Sequence, residues 1–188
     1  MSTARSGGSL ASLARFGFTD LDGTIAKLDE LVSLVGDSGR SALASLSKSA
    51  NPDQALDFLI KISRENKSSV KKLLSKEESA LRLCRLLGAS SALADFVSLN
   101  PEVLKEFEKE HKLLDREGYV QLFTKALADG SLPSANQVTI LRKVYRTELT
   151  KIAIFDLNAT DPMSVQPRVS LALADIATAA LEAGLIIA

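Results

Sequence analysis

Apolar residues recur at three- and four-residue spacing along almost the whole chain, and no run alternates strictly between β-branched or aromatic and polar positions. That period belongs to a helix lying on a core, so the pattern predicts an all-α protein. Helical segments are expected near 9–16, 22–36, 39–49, 52–64, 67–87, 90–99 and 101–128, the last with a break, followed by two long ones. The expected architecture is an array of about eight helices ending in two long antiparallel helices.

Asn51-Pro52, Asn100-Pro101 and Asp161-Pro162 each set a capping side chain before a proline, whose missing N–H is harmless at the first helical position. Three helix starts are predicted there. Ser134 with Gln137 has the spacing of a capping box, as does Asn51 with Gln54, so a further long helix should open near Ala135 and run to Asn158. Within it Leu141, Val144, Tyr145, Leu149, Ile152 and Phe155 fall on one stripe, the expected core face. From Val165 onward, Val169, Leu173, Ile176, Ala180 and Gly184 repeat the period in an alanine-rich setting that lets a neighbouring helix come close.

Met1 to Gly8 is small, polar and glycine-rich and is expected to be a disordered tail, leaving residues 9–188 as one helical domain. Lys+Arg 23 against Asp+Glu 23 gives zero net charge, which argues against nucleic acid and anionic membranes as partners. The pattern also shows no secretory h-region and no apolar run expected to cross a bilayer, so a cytoplasmic location is expected. Cys84 has no second cysteine to pair with, and a reducing compartment suits it. His111, between Glu108, Glu110 and Lys112, reads as a surface residue on a solvated helix, and one histidine excludes a multi-histidine metal site within this chain.

The sharpest local motif is Asp20-Leu21-Asp22-Gly23-Thr24, which resembles the first motif of haloacid dehalogenase phosphatases, where paired aspartates act as nucleophile and acid/base beside magnesium. That motif should end a buried strand, whereas Ala14 to Thr19 is broken by glycine and charge. The competing expectation is a helix cap by Asp20 or Asp22. Arg142, Lys143, Arg146 and Lys151 form a basic ridge that could hold a phosphate or face a neighbouring domain. Glu148, within one turn of Lys151, favours an ordinary solvated face. No residue is assigned a catalytic role.

Two stretches carry a family resemblance. The segment from Gly88 through Ser98-Leu99-Asn100-Pro101-Glu102, and Leu141-Arg142-Lys143-Val144-Tyr145-Arg146-Thr147-Glu148 with its continuation to Leu157, are similar in order and separation to glutamine synthetase adenylyltransferases. The likeness runs from about Leu81 to Leu185, and Leu13 to Asp20 is similar to the start of actinobacterial-type members. It implies the helical N-terminal part of an enzyme in which one nucleotidyltransferase domain attaches AMP from ATP to a tyrosine of glutamine synthetase and another removes it by phosphorolysis. ATP and Mg2+ would serve that full-length enzyme, not this segment, and its partners would be glutamine synthetase and a PII-type signal protein.

On this resemblance the segment supports the catalytic domain, with Arg142, Arg146 and Glu148 as interface or phosphate-contact positions and Asp20 and Asp22 reduced to a decoy. The apolar end Leu185-Ile186-Ile187-Ala188 then reads as a cut, with a nucleotidyltransferase domain expected beyond it. A free-standing helical interaction module is the alternative. A phosphatase acting through Asp20 and Asp22 stands third.

Overall fold

The computed structural model describes residues 10–128 and 133–188, so the tail predicted over Met1 to Gly8 lies outside the described residues. The described elements are α1 (Leu10–Arg15), α2 (Leu21–Val35), α3 (Asp37–Leu46), α4 (Pro52–Glu65), α5 (Lys67–Leu74), α6 (Glu77–Ala89), α7 (Ser91–Leu99), a 3-10 helix (Pro101–Glu108), α8 (Arg116–Ala126), α9 (Ser134–Leu157) and α10 (Pro162–Ile187). No strand occurs among the described residues. The all-α expectation holds.

The chain divides into two compact units, one reaching to Lys109 and one beginning at Glu110. In the first, α4 and α6 form the centre, with α2, α3, α5, α7 and the 3-10 helix packed around them. Leu56, Leu59, Ile60 and Ile62 of α4 and Leu83, Cys84, Leu86 and Leu87 of α6 are buried. The close seating of α6 depends on Gly88, because a Cβ there would lie 2.8 Å from the Asn51 carbonyl oxygen and 2.8 Å from the Ser49 Cβ. Gln54 Nε2 fastens the same junction by donating to the Leu87 carbonyl at 2.7 Å.

The second unit consists of α8, α9 and α10. Tyr119 and Phe123 of α8, Ile152 of α9 and Val169, Ala172, Ile176, Ala179 and Ala183 of α10 form its buried core. The stripe expected on α9 is present, since Leu141, Val144, Tyr145, Leu149 and Phe155 pack half-buried against this cluster. On α10 the stripe is corrected. The buried positions follow the alanines, while Leu173 is 43% exposed. Small side chains at Ala172, Ala179 and Ala183 let α8 and α9 both approach α10, and leucines at those positions would hold them off. α9 and α10 are joined by residues 158–161 alone and pack along each other, which makes them antiparallel.

Several local expectations also change. The run 67–87 is divided because Ser75 Oγ donates back to the Lys72 carbonyl at 2.7 Å and Lys76 turns extended, with φ −120°. Asn100 closes α7, with Nδ2 donating to the Phe96 carbonyl at 2.9 Å, instead of capping the 3-10 helix that begins at Pro101. The capping box at Ser134 does not form. Ser134 is already the first residue of α9, and the amides of Asn136 and Gln137 donate to the Pro133 carbonyl at 2.8 and 3.1 Å. Asn51 and Asp161 do cap, accepting from the amides of Gln54 and Met163 at 3.0 Å each.

The expectation that no stretch is long and apolar enough to cross a bilayer is also corrected. Among the described residues α10 meets that test by length and composition, although one of its faces lies in the core of the second unit.

Candidate functional site

Asp20 caps α2. Its Oδ1 accepts from the Gly23 amide at 3.1 Å, which satisfies one of the donors left open at the start of a helix. A Cβ on Gly23 would come within 2.0 Å of Asp20 Oδ2, so the cap requires glycine at this position. The same Asp-x-x-Gly arrangement opens α8, where Asp115 Oδ1 accepts from the Gly118 amide at 2.9 Å. Asp22 is exposed in the first turn of α2. The resemblance of Asp20-Leu21-Asp22-Gly23 to a phosphatase motif therefore comes from capping geometry, and no strand among the described residues delivers these carboxylates to a pocket. The phosphatase reading is set aside.

Behind this cap lies an open groove of about 590 Å³ lined by Thr19, Asp53, Asp57, Phe58, Lys61 and Asp95 among others, which no local pattern in the sequence announced. Asp53 Oδ2 accepts from the Thr19 amide at 2.9 Å and hydroxyl at 2.7 Å, and Oδ1 from the Thr24 hydroxyl at 3.4 Å. Burial pushes the Asp53 carboxyl up, but these donors from the turn before α2 and from its first turn outweigh it and hold the group below its ordinary value. Lys27 meets Asp57 at 2.7 Å, and that hydrogen bond raises the ammonium above its ordinary value. Lys61 meets Asp95 at 2.8 Å and sits 5.4 Å from the centre of the Phe58 ring.

Each of these carboxylates is matched by a donor from another helix or loop. The pairs tie α4 to α2, to α7 and to the turn before α2. Such exposed pairs contribute about 0–1 kcal/mol each and act as braces. Among the described residues no three of His, Cys, Asp or Glu come together in a way that could hold a metal ion.

The structure does not bring the three residues singled out on α9 to one place. Arg142 and Arg146 are exposed one turn apart. Glu148 is 5% exposed and meets Lys151 at 2.6 Å, so the pairing expected from its spacing is present but turned inward instead of solvated. Glu148 follows Arg146 by two residues and so points to another side of the helix. Beside it, burial and then the Glu148 charge push the Tyr119 phenol up to about 12. Cys84 is fully buried, which pushes its thiol up to about 12 and leaves it without nucleophilic character. His111, expected on a helix, lies half-buried in the irregular segment before α8.

The described residues thus offer a braced groove on the first unit and a basic pair on α9. Comparison with known proteins adds an assignment for the whole stretch. The chain is 34% identical over 191 residues to the bifunctional glutamine synthetase adenylyltransferase/adenylyl-removing enzyme of Leifsonia xyli subsp. xyli, a match covering 96% of this chain and 18% of that protein. Enzymes of the same description from Bifidobacterium longum (strain DJO10A) and Streptomyces avermitilis are 30% and 31% identical over 94% and 98% of this chain, again covering 18% of each. No protein-family model matches, and no solved structure does. The resemblance read from the sequence therefore holds, and it extends from the expected 81–185 to nearly the whole chain. The chain spans about a fifth of the length of the curated relatives it matches.

Proposed function

We propose that this chain is a helical segment of a bifunctional glutamine synthetase adenylyltransferase/adenylyl-removing enzyme, and that it supports and orients a nucleotidyltransferase domain without performing chemistry itself. The observation that carries this reading is the near end-to-end match to one fifth of enzymes bearing that name. A scaffold role is supported by the site geometry. Of the paired aspartates, Asp20 serves as a helix cap and Asp22 stands exposed beside it, and the groove acids serve as braces.

Glutamine synthetase is the substrate protein on this reading, a PII-type signal protein a regulator, and the cytoplasm the location. ATP and Mg2+ would be used by the whole enzyme. No step is assigned to the metal in this segment. Arg142 and Arg146, exposed on one side of α9, are proposed as positions facing the catalytic domain; Glu148, turned inward, acts by holding Lys151.

The test is transfer of AMP from ATP to glutamine synthetase. The polypeptide isolated from its own cells is expected to transfer AMP and, in the reverse sense, to release it by phosphorolysis, whereas the 188-residue chain does neither. Failure of the native polypeptide to modify glutamine synthetase would remove the reading and leave a helical interaction module in its place.

A further inference from the structure

The two sides of α10 are built to the same plan, but only one is covered. The buried seam Val169, Ala172, Ile176, Ala179, Ala183 follows spacings of three, four, three and four residues. Shifted by two positions, Leu171, Ala174, Thr178, Leu181 and Leu185 repeat those spacings on nearly the opposite side of the helix. Leu171 is 63% exposed, Leu181 72% and Leu185 79%. An amphipathic helix on a finished surface would carry charge there. The charged residues of α10 are Arg168, Asp175 and Glu182, one heptad apart and all on a single flank. Two of them are engaged within the unit: Arg168 stacks 5.1 Å from the Phe155 ring centre, and Glu182 pairs with Arg116.

A seam with this period and no charge suits another helix and offers nothing to nucleic acid or to an acidic or basic peptide. Helices that lie on anionic membranes carry lysine and arginine along their polar side, whereas α10 has one arginine and two acids. The relatives carry more than four-fifths of their length outside the matched segment. A helix in that covalently attached portion would face the seam at a far higher effective concentration than a second molecule could.

We propose that the Leu171–Leu181–Leu185 seam of α10 is the docking face for an apolar helix of the remaining enzyme polypeptide, the contact through which this segment holds the catalytic part. The inference rests on the functional reading above.

Maleimide labelling of a Leu181→Cys variant tests it. Cys84 is fully buried and contributes little background. In the 188-residue chain the new thiol is expected to label at the rate of an exposed cysteine, independent of protein concentration. In the polypeptide made by its own cells, labelling is expected to be roughly 100-fold slower, as for a site reached only by local opening. Leu171→Cys should behave the same way, and circular dichroism of both variants reports retention of the helices.

AMP transfer to glutamine synthetase with equally fast labelling in both polypeptides would overturn the docking face and spare the functional reading. Absence of AMP transfer by the native wild-type polypeptide would remove the reading and this inference together. Protection in the 188-residue chain that rises with its concentration would assign the seam to a second copy, and protection only with phosphatidylcholine/phosphatidylglycerol vesicles would assign it to a membrane. Either result would overturn the proposal.

Discussion

α4 and α10 each sit at the heart of their own unit, yet their outer faces differ. α4 buries Ala55, Leu56, Leu59, Ile60 and Ile62 and presents Asp57, Lys61, Arg64 and Glu65 outward, with Asp57, Lys61 and Arg64 each paired to a neighbouring helix. α10 buries valine, isoleucine and alanines and presents Met163, Leu171, Leu181, Leu185 and Ile186. α4 is finished on its outside as well as its inside. The outside of α10 still has the character of a core, and this difference is the observation from which the docking face is argued.

The sharpest way to break the comparison is to damage each core separately. Leu59→Ala in α4 and Phe123→Ala in α8 should each destabilise by about 2–5 kcal/mol, because both side chains are fully or almost fully buried and leave cavities. Denaturant titration followed by hydrogen exchange should show the loss of protection confined to the unit that carries the substitution. Loss of protection across both units from either change would mean they do not hold separate cores.

The two faces of α10 give the next contrast. Ala179→Leu should cost about 1–3 kcal/mol by overpacking the covered seam, whereas Leu181→Glu in the 188-residue chain should stay within about 0.5 kcal/mol. Equal thermal shifts for the two would show that both faces are already covered. The Asp20 cap is expected to contribute about 1 kcal/mol, lost alike in Asp20→Ala and Gly23→Ala, since either change removes the same hydrogen bond. A cap lost in only one of the two variants would contradict the geometry.

The braces of the first unit give the smallest effects, and their signs follow from their surroundings. The Asp53 carboxyl is held below its ordinary value of 3.8, so its contribution is present above that value and is lost as pH falls through the lower, folded value. Lys27 is held above 10.5, so its contribution is complete below 10.5 and is lost as pH rises through the higher, folded value. Thermal melts across pH should show a shallower acid limb in Asp53→Asn and a shallower alkaline limb in Lys27→Met. Both changes should be modest, because the groups are partly in water.

Much of the fold was legible because helices are specified locally. Asn51-Pro52 and Asp161-Pro162 announce their caps within four residues, and the α9 stripe is a matter of period. What was not legible depends on neighbours. α10 carries more than one stripe of the right period, and the close approach of α8 and α9 selects the alanines over Leu173. Asn100 could cap forwards or close backwards, and the Phe96 carbonyl takes its amide. Glu148 and Lys151 have the spacing of a surface pair, and only the packing around them turns that pair inward.

The groove joins Thr19 to Asp53 and Lys61 to Asp95, each pair 34 residues apart, a separation no local motif records. The family signal, by contrast, came from residue identities around Gly88 and Arg142, of which Gly88 has a visible steric reason.

The central claim is that these residues are one part of a much longer enzyme, and the most direct test is the mass of the native polypeptide, detected in its own cells by an antibody to this segment. The predicted result is a chain about five times longer than 188 residues, in line with the 18% share of the relatives that the match covers. A native polypeptide of 20.1 kDa would contradict it.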